Sequence, residues 1–494
     1  MIPIDLLAFP THANVRILCA IWVALFAILL WHQWRSPRAF GLPLVYAFGM
    51  TLIHLPGGFA YSFDYYSPSS AYLLDTGASI QVTHPGLWMS TLGFGCFVLG
   101  SLICPLLFSV NPPPKRQTLP PQVTSMLPGT LLLLSFAFFF VISPITKRIP
   151  SVSALGSGGI HFSVVAVFLF CHRAYHQRDL QNFRKWLFST VGFPLVTVVF
   201  MGFMSYGIAS AVAVWMLVVR FFRPRWLSLA VLGMVVYVGL TLFVNWMFYR
   251  NWIRQSYASD RIAKVQRMLD NLEVFDPYSQ THMEALDTRL NQNDFVGKTM
   301  DHTGSRNNFA NGSTLWVAFT AWIPRIIWPN KPILGGSGDL VSNATNQELN
   351  EDTSFGVGQV LEFYVNFGTP SVVLGFIIFA IALTFIDQRA AHYLSQSDYW
   401  NLTRWMLPAL GMIQPNGALG EVVSAAAANA ILVTLLHHAF FKKFYHDEAW
   451  NRALNQHEFS IRTSNLRGSK TPRLGSKTLP NSRPLSSPPQ QGIK

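Results

Sequence analysis

Two cations lie close together in the segment IPRIIWPNKP, 323–332. Arg325 and Lys331 stand among isoleucine and tryptophan, stiffened by three prolines. A guanidinium presents a planar fork of donors that matches phosphate oxygens, and an ammonium adds a point charge. Held beside a lipid surface, such a pair suits a lipid-linked phosphate or pyrophosphate. A second arm for the same anion is available from Arg306 or Arg250. Further on, Glu362 stands where an apolar run begins, within 355–367, together with Gly356, Gly358, Tyr364 and Asn366. An acid at membrane depth is costly, so it marks a functional position by default. Trp316, Trp322, Trp328 and Tyr364 offer ring faces on which sugars stack.

Each feature has a plainer explanation. Arg325 and Lys331 can snorkel to headgroups while Trp322 and Trp328 form an interfacial belt. Glu362 can be a satisfied carboxylate paired with a loop arginine. Glu421, at the head of the last apolar block, suits a helix N-terminus. Other signals fail outright. Gly297-Lys298-Thr299 resembles the end of a phosphate-binding loop, but Gln292 occupies the place of the required first glycine. Asp301 and His302 are sequence neighbours, which seldom face one another usefully. The histidines show no HExxH spacing and the cysteines no CxxC pair, so neither a metal site nor a cofactor is implied.

The elements that position these residues follow from composition. Of 494 residues, 51% are hydrophobic and 12% are charged, about half the charge of a soluble globule. Apolar residues fall in long blocks without strand-like alternation. The fold class is therefore all-α, a polytopic integral membrane protein, because helices satisfy their own backbone hydrogen bonds in lipid. About 20 apolar residues cross a bilayer. Blocks at 15–31, 40–60, 86–110, 127–143, 158–172, 186–204, 207–222, 226–248, 369–386, 401–415 and 421–441 give about eleven spans, with ten to twelve as the range. Cys19, Cys96, Cys104 and Cys171 lie in or beside these blocks as small apolar packers. No cleavable signal peptide is evident, so the first span serves as the membrane-entry signal.

Positive residues follow alternate spans: Arg35 and Arg38, Lys115 and Arg116, Arg173 to Lys185, and Arg220 to Arg225. Lys147 and Arg148 are the one misfit. This bias places the N-terminus outside and the C-terminal tail inside. The net charge is +13, and 442–494 carries ten Lys or Arg against three acids. More than half of the excess is thus a basic cytoplasmic tail beside an anionic leaflet, and nucleic acid is not expected as a partner. The low apolar content of 460–494 points to disorder.

Four regions result: membrane helices over 1–248, a large extracytoplasmic loop over 249–368, membrane helices over 369–441, and the tail over 442–494. Within the loop, 250–312 balances eight basic against eight acidic residues. Ile262, Val265, Met268 and Leu272 recur at helical spacing and predict a surface helix lying over the membrane domain. Pro324 and Pro329 interrupt helical bonding, so 314–332 reads as an interfacial or re-entrant element.

These residues bring a family to view. Pro324-Arg325 with Trp328-Pro329-x-Lys331-Pro332, followed by Leu361-Glu362-x-Tyr364-x-Asn366-Phe367-Gly368, resembles the Wzy-type O-antigen polymerases, the oligosaccharide repeat-unit polymerases. The motifs span about 45 residues and the hydropathy layout about 440. An odd span count with an outside N-terminus departs from the family's usual even number, and the basic tail is an addition. The resemblance implies a glycosyltransferase of the bacterial plasma (inner) membrane, with its site on the extracytoplasmic face. It would join glycans carried on polyprenyl pyrophosphate, without a cofactor, beside a flippase and a chain-length regulator. Arg325 and Glu362 would be catalytic; Lys331, Arg306, Arg250, Trp328 and Tyr364 would bind substrate. A transporter or flippase of lipid-linked glycans, a ligase moving finished glycan to another acceptor, and a membrane scaffold are the rivals.

Overall fold

The structure is a computed structural model that describes residues 9–66, 71–108, 121–146, 158–201, 204–221, 225–255, 258–323, 327–332, 337–347, 356 and 358–441. Every regular element among these residues is helical. The chain is a helical membrane protein. Residues Met1–Thr434 form one unit, and 435–494 form a second, of which 435–441 are described. The basic tail expected over 442–494, and Arg325 itself, lie outside the described residues.

Among the described residues, each of the eleven apolar blocks is largely helical. Eight of the helices are long and apolar enough to cross a membrane: α1 (His12–Arg35), α2 (Leu42–Ala60), α3 (Ile80–Leu107), α4 (Met126–Thr146), α6 (Leu180–Phe200), α8 (Arg225–Arg254), α15 (Thr369–Ser395) and α17 (Leu419–Leu436, apolar through Ala439). The other three blocks form α5 (His161–His176), α7 (Ser205–Val218) and α16 (Tyr399–Met412), of 16, 14 and 14 residues. At 1.5 Å per residue these reach only about 21–24 Å, short of a hydrocarbon core of about 30 Å. That is why eleven apolar blocks yield eight helices of spanning length. Between α8 and α15 come α9 (Ala258–Asp270), α10 (Gln280–Leu290), α11 (Gln292–Thr299), α12 (Ser313–Thr320), α13 (Ser337–Thr345) and α14 (Gln359–Phe367).

The core is aromatic and stepped. Trp22 of α1 stacks on Phe94 of α3 at 4.4 Å, and Tyr46 of α2 packs against Phe97 and Phe379 at 4.7 and 4.9 Å. Close approach in this core requires glycine. A Cβ at Gly93 or Gly100 of α3 would fall 2.8 Å from Phe376 Cε2 or from the Ile377 carbonyl of α15. Gly86, one heptad earlier, faces α11, and there a Cβ would fall 1.9 Å from the Asn293 carbonyl. Small residues let helices in lipid approach to backbone contact.

Two helix starts are capped from a distance. Asp387 of α15 accepts the amides of Phe40, Gly41 and Leu42 at 2.9, 2.6 and 2.7 Å, satisfying the orphan donors of α2. Gly41 holds φ +124° there, and Pro43 follows within the first turn. The surface helix expected over 260–272 is α9: Val265 and Met268 are buried against Val198, Met204, Trp246 and Ile253, while Ile262 faces outward.

The polar segment 280–299 departs most from expectation for an outer loop. Instead of lying on the surface, α10 packs on α2, and α11 wedges against both α3 and α2. The docking tolerates no side chain at Gly86 or Gly297, since a Cβ at Gly297 would meet the Val82 carbonyl at 1.9 Å. Gly86→Ala is expected to lift α11 off α3 and to cost about 1–3 kcal/mol or more through overpacking. Gly192→Ala, with nothing within 4 Å, is the neutral control. Thermal unfolding of the two variants in detergent checks this; equal melting temperatures would reject the docking.

Candidate functional site

A polar seam runs along α2 towards the end that bears 250–368. Tyr46, His54, Gly57 and Tyr61 fall within about 80° of one another at 100° per residue. Each meets one polar residue from later in the chain. The Tyr46 hydroxyl donates to Gln359 Oε1 at 2.6 Å. His54 Nδ1 donates to Asn293 Oδ1 at 2.8 Å, and Asn293 Nδ2 returns a bond to the His54 carbonyl at 2.8 Å. Gly57 leaves room for the Asn291 carboxamide, which a Cβ would meet at 2.3 Å. The Tyr61 hydroxyl donates to Asp287 Oδ2 at 2.9 Å.

Asp287 is the hub at the upper end of the seam. Only 5% exposed, it accepts from Tyr61, from Tyr66 at 3.5 Å and from Asn291 Nδ2 at 2.7 Å. Burial pushes its carboxyl up from an ordinary 3.8 to about 6, against the pull of hydrogen bonds from Tyr61, Asn291 and Tyr72. The same carboxylate, after burial, drives the phenols of Tyr66 and Tyr72 upward. Seven residues on, in α11, Asp294 pairs with Lys298 at 2.7 Å, and the Lys298 ammonium also donates to the Thr76 carbonyl at 3.1 Å. The Gly297-Lys298-Thr299 tripeptide is therefore a helix-docking surface.

Helix α14 supplies the lower end. Its start follows Gly358, held at φ +70°, and its end is fixed by Gly368 at φ +67°, with Pro370 opening α15. Gln359, Glu362 and Asn366 share one face. Gln359 Nε2 donates to the carbonyls of Gln414 and Gly417, both at 2.7 Å. Asn366 Nδ2 donates to Thr314 Oγ1 at 2.6 Å. Glu362 is fully buried, and its Oε2 accepts the Leu419 amide, the first N–H of α17, at 2.5 Å. Its expected partner, a loop arginine, is thus replaced by a helix N-terminus. Burial raises Glu362 from 4.5 to about 7, helped by Glu421 and opposed by the Leu419 N–H. Glu362 Oε1, Asn366 Oδ1, Gln292 Oε1 and His54 Nε2 are buried acceptor positions that make no hydrogen bond within the protein.

A cationic corner adjoins the seam. Arg250 and Arg254 sit one turn apart at the end of α8, and Arg289 lies in the last turn of α10, which packs on α8. Burial, then the guanidiniums of Arg250 and Arg254, bring Arg289 down to about 10.

The remaining expected site residues are dispersed. The Lys331 ammonium donates to the carbonyls of Ala321 and Ile323 at 2.8 and 2.9 Å, closing the turn after α12. Trp328 is half-buried nearby, and Arg306 is exposed in a turn before Asn307. Tyr364 is buried with its ring 6.0 Å from Phe309 and its hydroxyl over Gly304. Glu362 and Tyr364 share α14, Lys331 and Trp328 share the turn after α12, and Arg250 belongs to the corner with Arg289. Asp287, Asn291, Asn293, His54 and Gln359 were not among the expected residues. Polar residues at helical spacing within the apolar block of α2 were the available signal.

The arrangement is that of a helical membrane protein with a buried polar seam, the buried acids Asp287 and Glu362 at its two ends, and a cationic corner at the Asp287 end. Residues 61–396 match the family described as a domain of unknown function, DUF8712, and the chain belongs to that family. No curated protein and no solved structure matches it. The matched stretch takes in Asp287, Asn293, Arg289 and Glu362, and begins at Tyr61, after Tyr46 and His54.

Both acids hold their protons to a higher pH in the folded state than when unfolded. The folded protein therefore binds more protons between the ordinary values of 3.8 and 4.5 and the raised values of about 6 and about 7. Stability must fall as pH rises through that window. Glu362→Gln, which keeps an acceptor for the Leu419 amide, is expected to remove on the order of 3 kcal/mol of this dependence. Melting temperatures of wild type and variant measured across the window in detergent check it; parallel curves would refute the burial effect.

Proposed function

We propose that this chain is a membrane glycosyltransferase that joins oligosaccharide repeat units carried on polyprenyl pyrophosphate into a surface polysaccharide. The convergence of Arg250, Arg254 and Arg289 at the Asp287 end of the seam carries this reading. Like charges one helical turn apart repel, and a diphosphate relieves that repulsion through charge-assisted bonds. In the reaction an acceptor hydroxyl oxygen attacks the anomeric carbon of the donor glycan. The bond from that carbon to the pyrophosphate oxygen breaks, and polyprenyl pyrophosphate leaves with the electron pair. Fixed guanidiniums stabilise the charge that develops on the leaving group. The hydroxyl proton passes to a carboxylate; Asp287, raised to about 6, is the buried one at this end of the seam, while Glu362 lies at the other.

The reading places this machinery on the outer face of a bacterial inner membrane, with eleven spans. The short helices α5, α7 and α16 would cross with their flanking turns, shielded by neighbours; most of α5 is already buried. Arg325 would add to the grip on the donor, and Arg306, Trp328 and Tyr364 would bind the glycan. Membrane lipids, a flippase and a chain-length regulator are the partners that fit. A second reading, transport of a lipid-linked glycan, draws on the seam itself, because buried ionisable residues also mark translocation paths.

Substituting Arg289 or Arg325 by Ala is expected to abolish polymer while leaving the protein in the membrane. Loss of one charge-assisted contact corresponds to about a 10- to 100-fold weaker hold on the diphosphate. Lipid-linked glycans from a deletion strain, resolved by repeat number, check the class. Single repeat units exposed on the outer face, with no longer chains, support polymerisation. Repeat units trapped inside would indicate transport, and long lipid-linked chains a ligase.

A further inference from the structure

Above the Asp287 hub the surface changes character. Phe59, Phe63 and Tyr65 form a mutual ring triad with centroids 5.6, 5.8 and 6.2 Å apart. Phe59 and Phe63 are 40% and 45% exposed. Tyr278, from the turn before α10, is 84% exposed and lies close enough for its phenol to act electrostatically on that of Tyr65. The rings are anchored from beneath: Tyr65, Tyr66 and Phe275 belong to the core cluster that holds Met283 and Leu286 of α10. They are not a continuous greasy surface. Arg16 lies over the Phe63 ring at 5.8 Å, Asp64 stands exposed between Phe63 and Tyr65, and Asp276, whose Oδ1 accepts the Tyr278 amide at 2.9 Å, is exposed beside that turn.

Rings interleaved with exposed acids are poorly matched to lipid tails, which offer no donors. They match an amphipathic solute with an apolar face and a rim of hydroxyls. A sugar ring is such a solute: its axial C–H groups lie on an aromatic face while its hydroxyls donate to carboxylates. The rim sits over a floor already built from Tyr61, Tyr66, Asn291 and Asp287. We infer that the Phe63–Tyr65–Tyr278 rim is a carbohydrate subsite that holds the acceptor glycan by ring stacking, with Asp64 and Asp276 receiving its hydroxyls. The identity of the glycan as acceptor rests on the polymerase reading; the stacking surface for sugar does not.

The test uses full-length protein in lipid nanodiscs and two probes. One is the soluble repeat-unit oligosaccharide released by mild acid from the cell's own lipid-linked pool. The other is geranylgeranyl pyrophosphate, which has the anion and tail without sugar. The Tyr65→Ala/Tyr278→Ala double variant is expected to bind the oligosaccharide at least about tenfold more weakly, as loss of stacking area requires, with pyrophosphate binding unchanged. The Tyr65→Phe/Tyr278→Phe variant, which keeps the rings, is expected to bind it like wild type, which separates stacking from misfolding. Unchanged oligosaccharide affinity in the Ala variant overturns the subsite. So does wild-type protein that binds the pyrophosphate but not the oligosaccharide, and that result leaves the polymerase reading standing. Wild-type protein that binds neither probe removes both.

Discussion

A carboxylate or carboxamide withdrawn from water must find its hydrogen bonds inside the protein, and this requirement organises the molecule. Asp287, Asn291, Asn293, Gln359 and Glu362 are all nine-tenths buried or more. Each would be expensive to leave unpaired. Each is met by a group fixed on another helix: Tyr61, Thr83, His54, Tyr46 and the first amide of α17. The polar segment between α8 and α15 is thereby bound to the membrane helices pair by pair. That makes its position specific, because a slip of one residue would strand several polar groups at once.

The pairing depends on backbone proximity that only glycine provides. Gly57 admits Asn291, and Gly86 with Gly297 brings α11 against α3. Remote caps do the complementary work at helix ends, Asp387 for α2 and Glu362 for α17. A buried acid here is therefore not by itself a sign of chemistry. Asp387 has both oxygens occupied by amides, whereas Glu362 keeps Oε1 without a protein partner. That difference, more than burial, separates an occupied carboxylate from one with an oxygen left to offer. The functional reading rests on the other end of the seam and draws together Asp287, the guanidinium corner of Arg250, Arg254 and Arg289, and the exposed rings.

The helical membrane class was legible because apolar block length reports directly on lipid. So was α9, where Val265 and Met268 recur with the helical period and are buried. Glu362 stood out because an acid beside an apolar run is rare, although its partner, an amide from 57 residues further on, has no sequence signature. The segment 280–299 was illegible as a buried element because its composition is that of a solvated loop. Its burial is written in the partners instead: His54, Gly57 and Tyr61 on one face of α2, and Gly86 in α3. Lys331 was read for its charge, yet its ammonium closes a local turn on two carbonyls, a role that depends on chain direction after α12 and not on residue type.

The seam itself is open to direct measurement. His54 and Asn293 join α2 to α11 by two reciprocal bonds of 2.8 Å, so their side chains must be energetically coupled if the segment is seated there. In a double-mutant cycle of His54→Ala, Asn293→Ala and the double variant, followed by unfolding in detergent, a coupling of about 0.5–3 kcal/mol is expected. Strictly additive losses, in folded protein, would mean that the polar segment is not seated on α2, and the account built on that seam would be wrong.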